Sequence, residues 1–251
     1  MPEAFTIPSD NLSLYKRLRR TLARIGFVRS GWHFLLALKE AWLDSPVRGQ
    51  AEFNREFARQ VDPYGYDTVT YERQRLQSEI GMLDAVRGGP RFAKALEVGC
   101  AEGAFTEMLV ERCDSLLAVD ISPVALARAR QRRPWNERVR FAQLDLRGDP
   151  LPDTFDLIVA VHVLECIRSF RALRRARTKL VDALRPGGYL LIGNFCGNEP
   201  GEKDWWGRYF LRGGKRISDF MVQHPALRVV NKSVVSMGND VSIDVLCQKS
   251  G

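Results

Sequence analysis

The apolar positions of this chain change period along its length, and the changes divide it. Residues 1–11 carry Pro2, Pro8, Ser9 and Asp10 and read as a loose end, with Asn11 available as a cap. Over 12–25, Leu14, Leu18, Leu22 and Ile25 recur at helical spacing and form one apolar stripe opposite the arginines. A second apolar helix is predicted over 32–43, ended by Asp44-Ser45-Pro46, and a third over 52–61. From Ala95 onward short apolar runs at 95–98, 115–119, 139–144, 155–163 and 189–194 read as strands. The run from Phe155 is near-continuous, as in a strand buried on both faces. Helical segments at 104–112, 122–133 and 171–184 separate these runs, the second opened by Ser122 as cap and Pro123 in the first turn. Pro186-Gly187-Gly188 is predicted to turn the chain, and 226–237 and 241–249 flank Gly238-Asn239-Asp240 as a terminal hairpin. Strand and helix alternate through the middle of the chain, which predicts an α/β fold.

The first strand-to-helix junction has a chemistry of its own. Side chains are minimal at Gly99, Ala101 and Gly103, as a turn requires when a ligand must approach its backbone closely. Asp120, with Ile121 beside it, closes the next strand at the distance where a carboxylate can accept both ribose hydroxyls of a nucleotide. A nicotinamide dinucleotide needs glycine at the second position for its pyrophosphate, and that position is Ala101. Glu97 would also repel a pyrophosphate, whereas it suits the ammonium and sulfonium of S-adenosyl-L-methionine.

Five motifs then follow in order. Glu97-x-Gly99-x-x-x-Gly103, Asp120, Asp145-Leu146, Phe155-Asp156-Leu157-Ile158-Val159 and Leu184-Arg185-Pro186-Gly187-Gly188 resemble those of class I S-adenosylmethionine-dependent methyltransferases over residues 60–249. The resemblance implies a Rossmann-like fold: a seven-stranded, mostly parallel sheet with a C-terminal antiparallel hairpin, here with an N-terminal helical extension. It also implies that Asp145 accepts from the adenine amino group while the Leu146 amide donates to a ring nitrogen. The expected division is an extension over 1–61 and a cofactor-binding domain over 62–251. The extension reads as a lid over the substrate side, an arm pairing two copies in a homodimer, or an added packing layer.

Asp62-Pro63-Tyr64-Gly65-Tyr66 and Tyr71-Glu72-Arg73-Gln74-Arg75 narrow the likeness to the NodS-like group, where such elements precede the glycine motif. Pro63 and Gly65 shape a turn, and Tyr71 and Arg75 share one helical face. A phenol and a guanidinium there can meet the cofactor carboxylate; the competing reading is an internal ion pair of Arg75 with Glu72 or Glu79.

Composition changes the picture only modestly. The 251 residues carry a net charge of +8, much of it arginine clustered at 16–20 and at 168–177, which reads either as solvated helix faces or as a surface for an acidic partner. Lys39 and Glu40 interrupt the best membrane-span candidate, and the start lacks the order of a secretory signal. Five scattered cysteines without a C-x-x-C pair read as reduced cytoplasmic thiols, and three histidines without ligand spacing imply no metal.

For the acceptor end, the run from Phe155 delivers His162, Leu164, Glu165 and Cys166 to the sheet edge where ligands bind. His162 is the candidate for orienting or deprotonating the acceptor, or else for packing against the cofactor; Glu165 can bind an ammonium or hydroxyl, or cap a helix. The aromatic-rich stretch 196–214, with Trp205, Trp206, Tyr209 and Phe210, reads as a loop over substrate or a short helix. The Asn/Asp-Pro-Pro-aromatic element of base-methylating enzymes is absent from Val161-His162-Val163-Leu164. The expectation is therefore a small-molecule methyltransferase, the NodS-like resemblance favouring N-methylation of an amino-sugar or related metabolite with O-methylation close behind. An RNA methyltransferase and a non-catalytic partner module are the competing readings.

Overall fold

The computed structural model describes residues 49–89, 91–167, 169–196, 214–237 and 240–251. The helices expected over 12–25 and 32–43, and nearly all of the aromatic stretch 196–214, lie outside them. The described residues belong to one compact unit, Ser45–Gly251. Its helices are α1 (Gln50–Arg59), α2 (Thr70–Val86), α3 (Ala104–Leu109), α4 (Pro123–Gln131), α5 (Phe170–Asp182) and α6 (Gly214–Val222). Its strands are β1 (Ala95–Val98), β2 (Leu116–Asp120), β3 (Val139–Gln143), β4 (Phe155–Val161), β5 (Leu184–Phe195), β6 (Leu227–Met237) and β7 (Asp240–Lys249).

These seven strands form one sheet in the order β3-β2-β1-β4-β5-β7-β6. The first five are parallel, and β7 runs antiparallel between β5 and β6. This is the class I architecture that the motif order implies. Alternate residues of the central strands enter two separate apolar layers. Leu96, Ile158, Ala160 and Ile192 meet Leu173, Ala176 and Leu180 of α5, while Leu157, Val159 and Leu191 meet Leu76, Ile80 and Leu83 of α2. Covering both faces explains the largely apolar runs, each fully buried leucine or isoleucine contributing about 1.5–3 kcal/mol.

Helix starts follow local chemistry where it is strong. Ser122 accepts from the Ala125 amide at 3.2 Å with Pro123 next to it, and Ser169 accepts from Ala172 at 3.3 Å. One local expectation is corrected. Pro186-Gly187-Gly188 does not turn the chain out of the sheet, because β5 already begins at Leu184, paired with Phe155, and resumes at Tyr189 opposite Leu157. The residues between bulge from a continuous strand, where Gly187 takes φ +75° and a Cβ on Gly188 would stand 2.9 Å from the Arg185 carbonyl oxygen. Helix α6 was not anticipated; its buried Ile217 and Met221 are four apart but follow the aromatic stretch closely. Arg171, Arg174 and Arg175 lie on the exposed face of α5.

Candidate functional site

Parallel strands β1, β2 and β4 end at the same edge of the sheet, and the turns that follow them enclose a cleft of about 320 Å³. The glycine turn forms its floor. Gly99 and Gly103 hold φ of +78° and +85°, and Ala101 between them holds +48°, a region that costs a non-glycine residue about 1–2 kcal/mol. Asp120 fastens that conformation: its carboxylate accepts the Ala101 amide at 2.9 Å and the Ser122 amide at 2.8 Å, tying the turn after β1 to the start of α4. Burial raises its pKa in spite of those amides.

Glu97, one position inside β1, is buried, and Thr106 donates to it at 2.7 Å. Desolvation pushes its carboxyl up to about 7, the threonine hydrogen bond opposing the rise. It lines a smaller space that also has Arg75, Tyr66 and Gly99 on its walls, the last two shared with the main cleft. Arg75 is only 1% exposed and is held by Glu72 at 2.8 Å and Glu79 at 2.5 Å, with Tyr66 under its guanidinium. Both sequence readings of Arg75 thus meet in one place, since it forms the internal ion pairs while bordering the space beside Glu97. Tyr71 is buried on the same helix and lines neither space.

At the far wall, Asp145 and Leu146 line the cleft after β3. Burial alone would raise Asp145, but the fork of Arg147, whose closest nitrogen is 2.7 Å away, holds it below the usual carboxylate range. Gly103 caps α3 behind the floor, outside the cleft lining.

His162 stands where β4 ends, held at φ +54° by its amide donating to the Gly193 carbonyl at 2.8 Å. That conformation aims the ring along the cleft edge, Nε2 lying 3.2 Å from Ser242 Oγ and Nδ1 3.5 Å from Glu165 Oε1. The other oxygen of Glu165 accepts the Phe195 amide at 2.7 Å. Glu165 and Cys166 line the cleft with His162, whereas Leu164 turns into the core and is fully buried.

Four aromatic residues from outside the glycine domain motifs complete the walls: Phe53 and Phe57 of α1, then Tyr64 and Tyr66. Phe57 meets Tyr64 edge to face at 5.7 Å. Polar ties hold this segment against the floor. Ser122 donates to Asn54 at 2.6 Å, the Asp62 amide to Glu102 at 2.7 Å, and Arg128 to the Gln60 carbonyl at 2.6 Å. Phe53 and Phe57 were missed from sequence; their i, i+4 spacing marks an apolar helix face without saying what it covers.

Comparison with known proteins follows the same outline. The chain is 36% identical over 141 residues to Nodulation protein S of Sinorhizobium fredii, covering 56% of this chain and 63% of that protein. It is 38% identical over 133 residues to Nodulation protein S of Bradyrhizobium diazoefficiens, covering 53% and 62% respectively. The matched part is therefore under two thirds of these relatives' length. A crystal structure of the N-methyltransferase NodS from Bradyrhizobium japonicum WM9, in complex with S-adenosyl-L-homocysteine, superposes with a TM-score of 0.68 at 27% identity, covering 80% of this chain and 98% of that one. The Nodulation protein S family model matches residues 48–246, a span that takes in α1, the glycine turn, His162 and most of β7, and the chain belongs to that family.

Proposed function

We propose that this protein is an S-adenosyl-L-methionine-dependent methyltransferase acting on a small molecule, most specifically on the amine of an amino-sugar or a related metabolite. The observation that carries the reading is one cleft bounded by Asp120 at one end and His162 with Glu165 at the other. The residues fit the cofactor on their own chemistry. Gly99 leaves no room for a Cβ against Val163, Asp120 presents a buried carboxylate for ribose hydroxyls, and Glu97 is a buried acid suited to a cationic group. Ile121, Asp145 and Leu146 would hold the adenine side, and Arg75, through the space it shares with Glu97, the amino-acid side. Tyr71 and Gly103 would act from behind, as supports.

When bound, the cofactor supplies an electrophilic methyl carbon. The chain's own tasks are alignment, exclusion of water and proton removal. Phe53, Phe57, Tyr64 and Tyr66 exclude water, and α1 acts as the part of the N-terminal extension that covers the cleft. His162 Nδ1 receives the acceptor's proton, and Glu165 stabilises the resulting imidazolium. An imidazole base suits an amine or hydroxyl acceptor, and the cleft rests on residues of a chain with no helix, among those described, long and apolar enough to cross a membrane.

The test is calorimetric titration of S-adenosylhomocysteine into wild type and Asp120→Ala at low and high salt, followed by labelled methyl transfer to a panel of amino-sugars, hydroxylated metabolites and RNA. Salt-insensitive binding abolished by the substitution, with transfer to an amino-sugar, is the expected result. Transfer to RNA alone, or no binding by folded wild type, overturns it.

A further inference from the structure

Behind His162 lies a buried polar chain that the donor site does not use. Glu79 on α2 and Asp244 on β7 are both fully buried. One carboxylate oxygen of each and one ring nitrogen of His162 lie within 4.8 Å of one another. The space for them is made by Gly193 of β5, which pairs with Asp244 across the antiparallel ladder. A Cβ on Gly193 would fall 2.7 Å from Asp244 Oδ1 and 3.1 Å from Glu79 Oε1. The same glycine's carbonyl fixes the His162 backbone.

Hydrogen counting orders the chain. Ser242 Oγ has one hydrogen and three neighbours: Asp244 Oδ1 at 2.9 Å, the Asn194 carbonyl at 3.4 Å and His162 Nε2 at 3.2 Å. The first two are acceptors, and the charge-assisted one is closer, so the serine hydrogen goes to Asp244. Ser242 can then meet His162 only as an acceptor, which places a hydrogen on Nε2 and, in the neutral ring, the lone pair on Nδ1. Glu79 Oε2 and Asp244 Oδ2 lack hydrogen-bond partners, and one proton between the two carboxyls satisfies both. Burial supports that proton, pushing Glu79 up to about 8 and raising Asp244. A divalent cation is disfavoured, because Arg75 stands 2.5 Å from Glu79 and Ser242 already occupies His162 Nε2.

We propose that Ser242, Asp244 and Glu79 are positioning residues for His162, an ordered chain from Nε2–H through the serine hydroxyl to a carboxyl pair sharing one proton, which holds Nδ1 as the base facing the acceptor. The proposal rests on the reading of His162 as the residue that receives the acceptor's proton. In that step an N–H bond of the methylated ammonium breaks, its electron pair remains on nitrogen, and an Nδ1–H bond forms before the proton passes to solvent along the cleft. The charged groups near the ring are Glu165 from the turn after β4, Asp244 from β7 and Glu79 from α2, and Glu79 is in turn paired with Arg75, which also holds Glu72.

The test reads the tautomer directly. The chain holds three histidines, so two-bond proton–nitrogen correlation spectra of full-length protein labelled with nitrogen-15 histidine are simple, with His162→Gln identifying the signal. Wild type is expected to show Nε2–H. Ser242→Ala, which removes only the hydroxyl, shifts the population toward Nδ1–H paired with Glu165, and Asp244→Ala, which takes away the acceptor of the serine hydrogen, does the same. Glu79→Gln retains the wild-type tautomer, because its amide supplies the shared hydrogen. In turnover, Ser242→Ala lowers kcat at least fivefold at unchanged S-adenosylhomocysteine affinity. Nδ1–H in wild type, an unmoved tautomer in Ser242→Ala, indistinguishable spectra for Asp244→Ala and Glu79→Gln, or a stoichiometric metal ion removable by chelator would each overturn the proposal. The expected tautomers with no methyl transfer to any acceptor would locate the failure in the proposed activity instead.

Discussion

A Cβ on Gly99 would stand 2.9 Å from the Cβ of Val163, so the floor of the cleft and the turn that carries the acceptor residues are in contact through a missing side chain. Gly99→Ala adds that clash to a left-handed φ of +78°. S-adenosylhomocysteine affinity, measured by calorimetry, should fall at least tenfold, roughly 1.4 kcal/mol. Val163→Ala in the same chain should recover part of the loss, since it removes the Cγ2 contact at 2.9 Å and leaves the Cβ contact and the backbone strain.

Asp120 accepts two backbone amides besides facing the cleft. Asp120→Ala should therefore weaken S-adenosylhomocysteine binding by more than tenfold and also lower stability by about 1–3 kcal/mol through the unpaired amides. Asp120→Asn, which keeps one acceptor oxygen, should restore more stability than affinity. Thermal melts run beside the titrations separate the two effects.

Among the described residues, Arg75 is the sole guanidinium bonded to the buried Glu79. Arg75→Met leaves that carboxyl buried with Asp244 and without its cation, and should cost about 3–5 kcal/mol in urea unfolding. Adding Glu79→Gln to the same chain should return a large part of that loss, because the stranded charge is then gone.

Glu97 has a pKa raised from 4.5 to about 7 by burial. The folded state thus holds its proton where the unfolded chain has lost it. Its contribution to stability is complete below pH 4.5 and is lost as pH rises through 7, on the order of 3 kcal/mol in all. Glu97→Gln should flatten that part of the stability profile. Placing a cationic group beside Glu97 favours its ionised form, so S-adenosylhomocysteine binding at pH 6–7 should release a proton, read as a dependence of binding heat on buffer ionisation enthalpy. Glu97→Gln should abolish the release.

The strands from Ala95 to Phe195, the glycine turn and the cap at Ser122 could be read from the sequence because each depends on neighbours along the chain. Residues 157–161 are apolar without interruption because both faces of β4 are covered, and the interval from Gly99 to Asp120 is set by one strand-helix-strand unit. The motif order likewise placed Gly99, Ala101, Asp120, Ile121, Asp145, Leu146, His162 and Glu165, and all eight line one cleft.

Tertiary structure alone decided the rest. A helix face such as Phe53 and Phe57 states that something is covered, and only the packing of α1 against Ala101 and Ala125 states what. Pro186-Gly187-Gly188 has turn chemistry, yet pairing of Leu184 with Phe155 keeps it within a strand as a bulge. Glu79, His162 and Asp244 are widely separated in sequence, and nothing local marks them as partners. They meet because the antiparallel β7 inserts beside β5 opposite a glycine, and a sheet's register is a property of strands that find one another only when the chain folds.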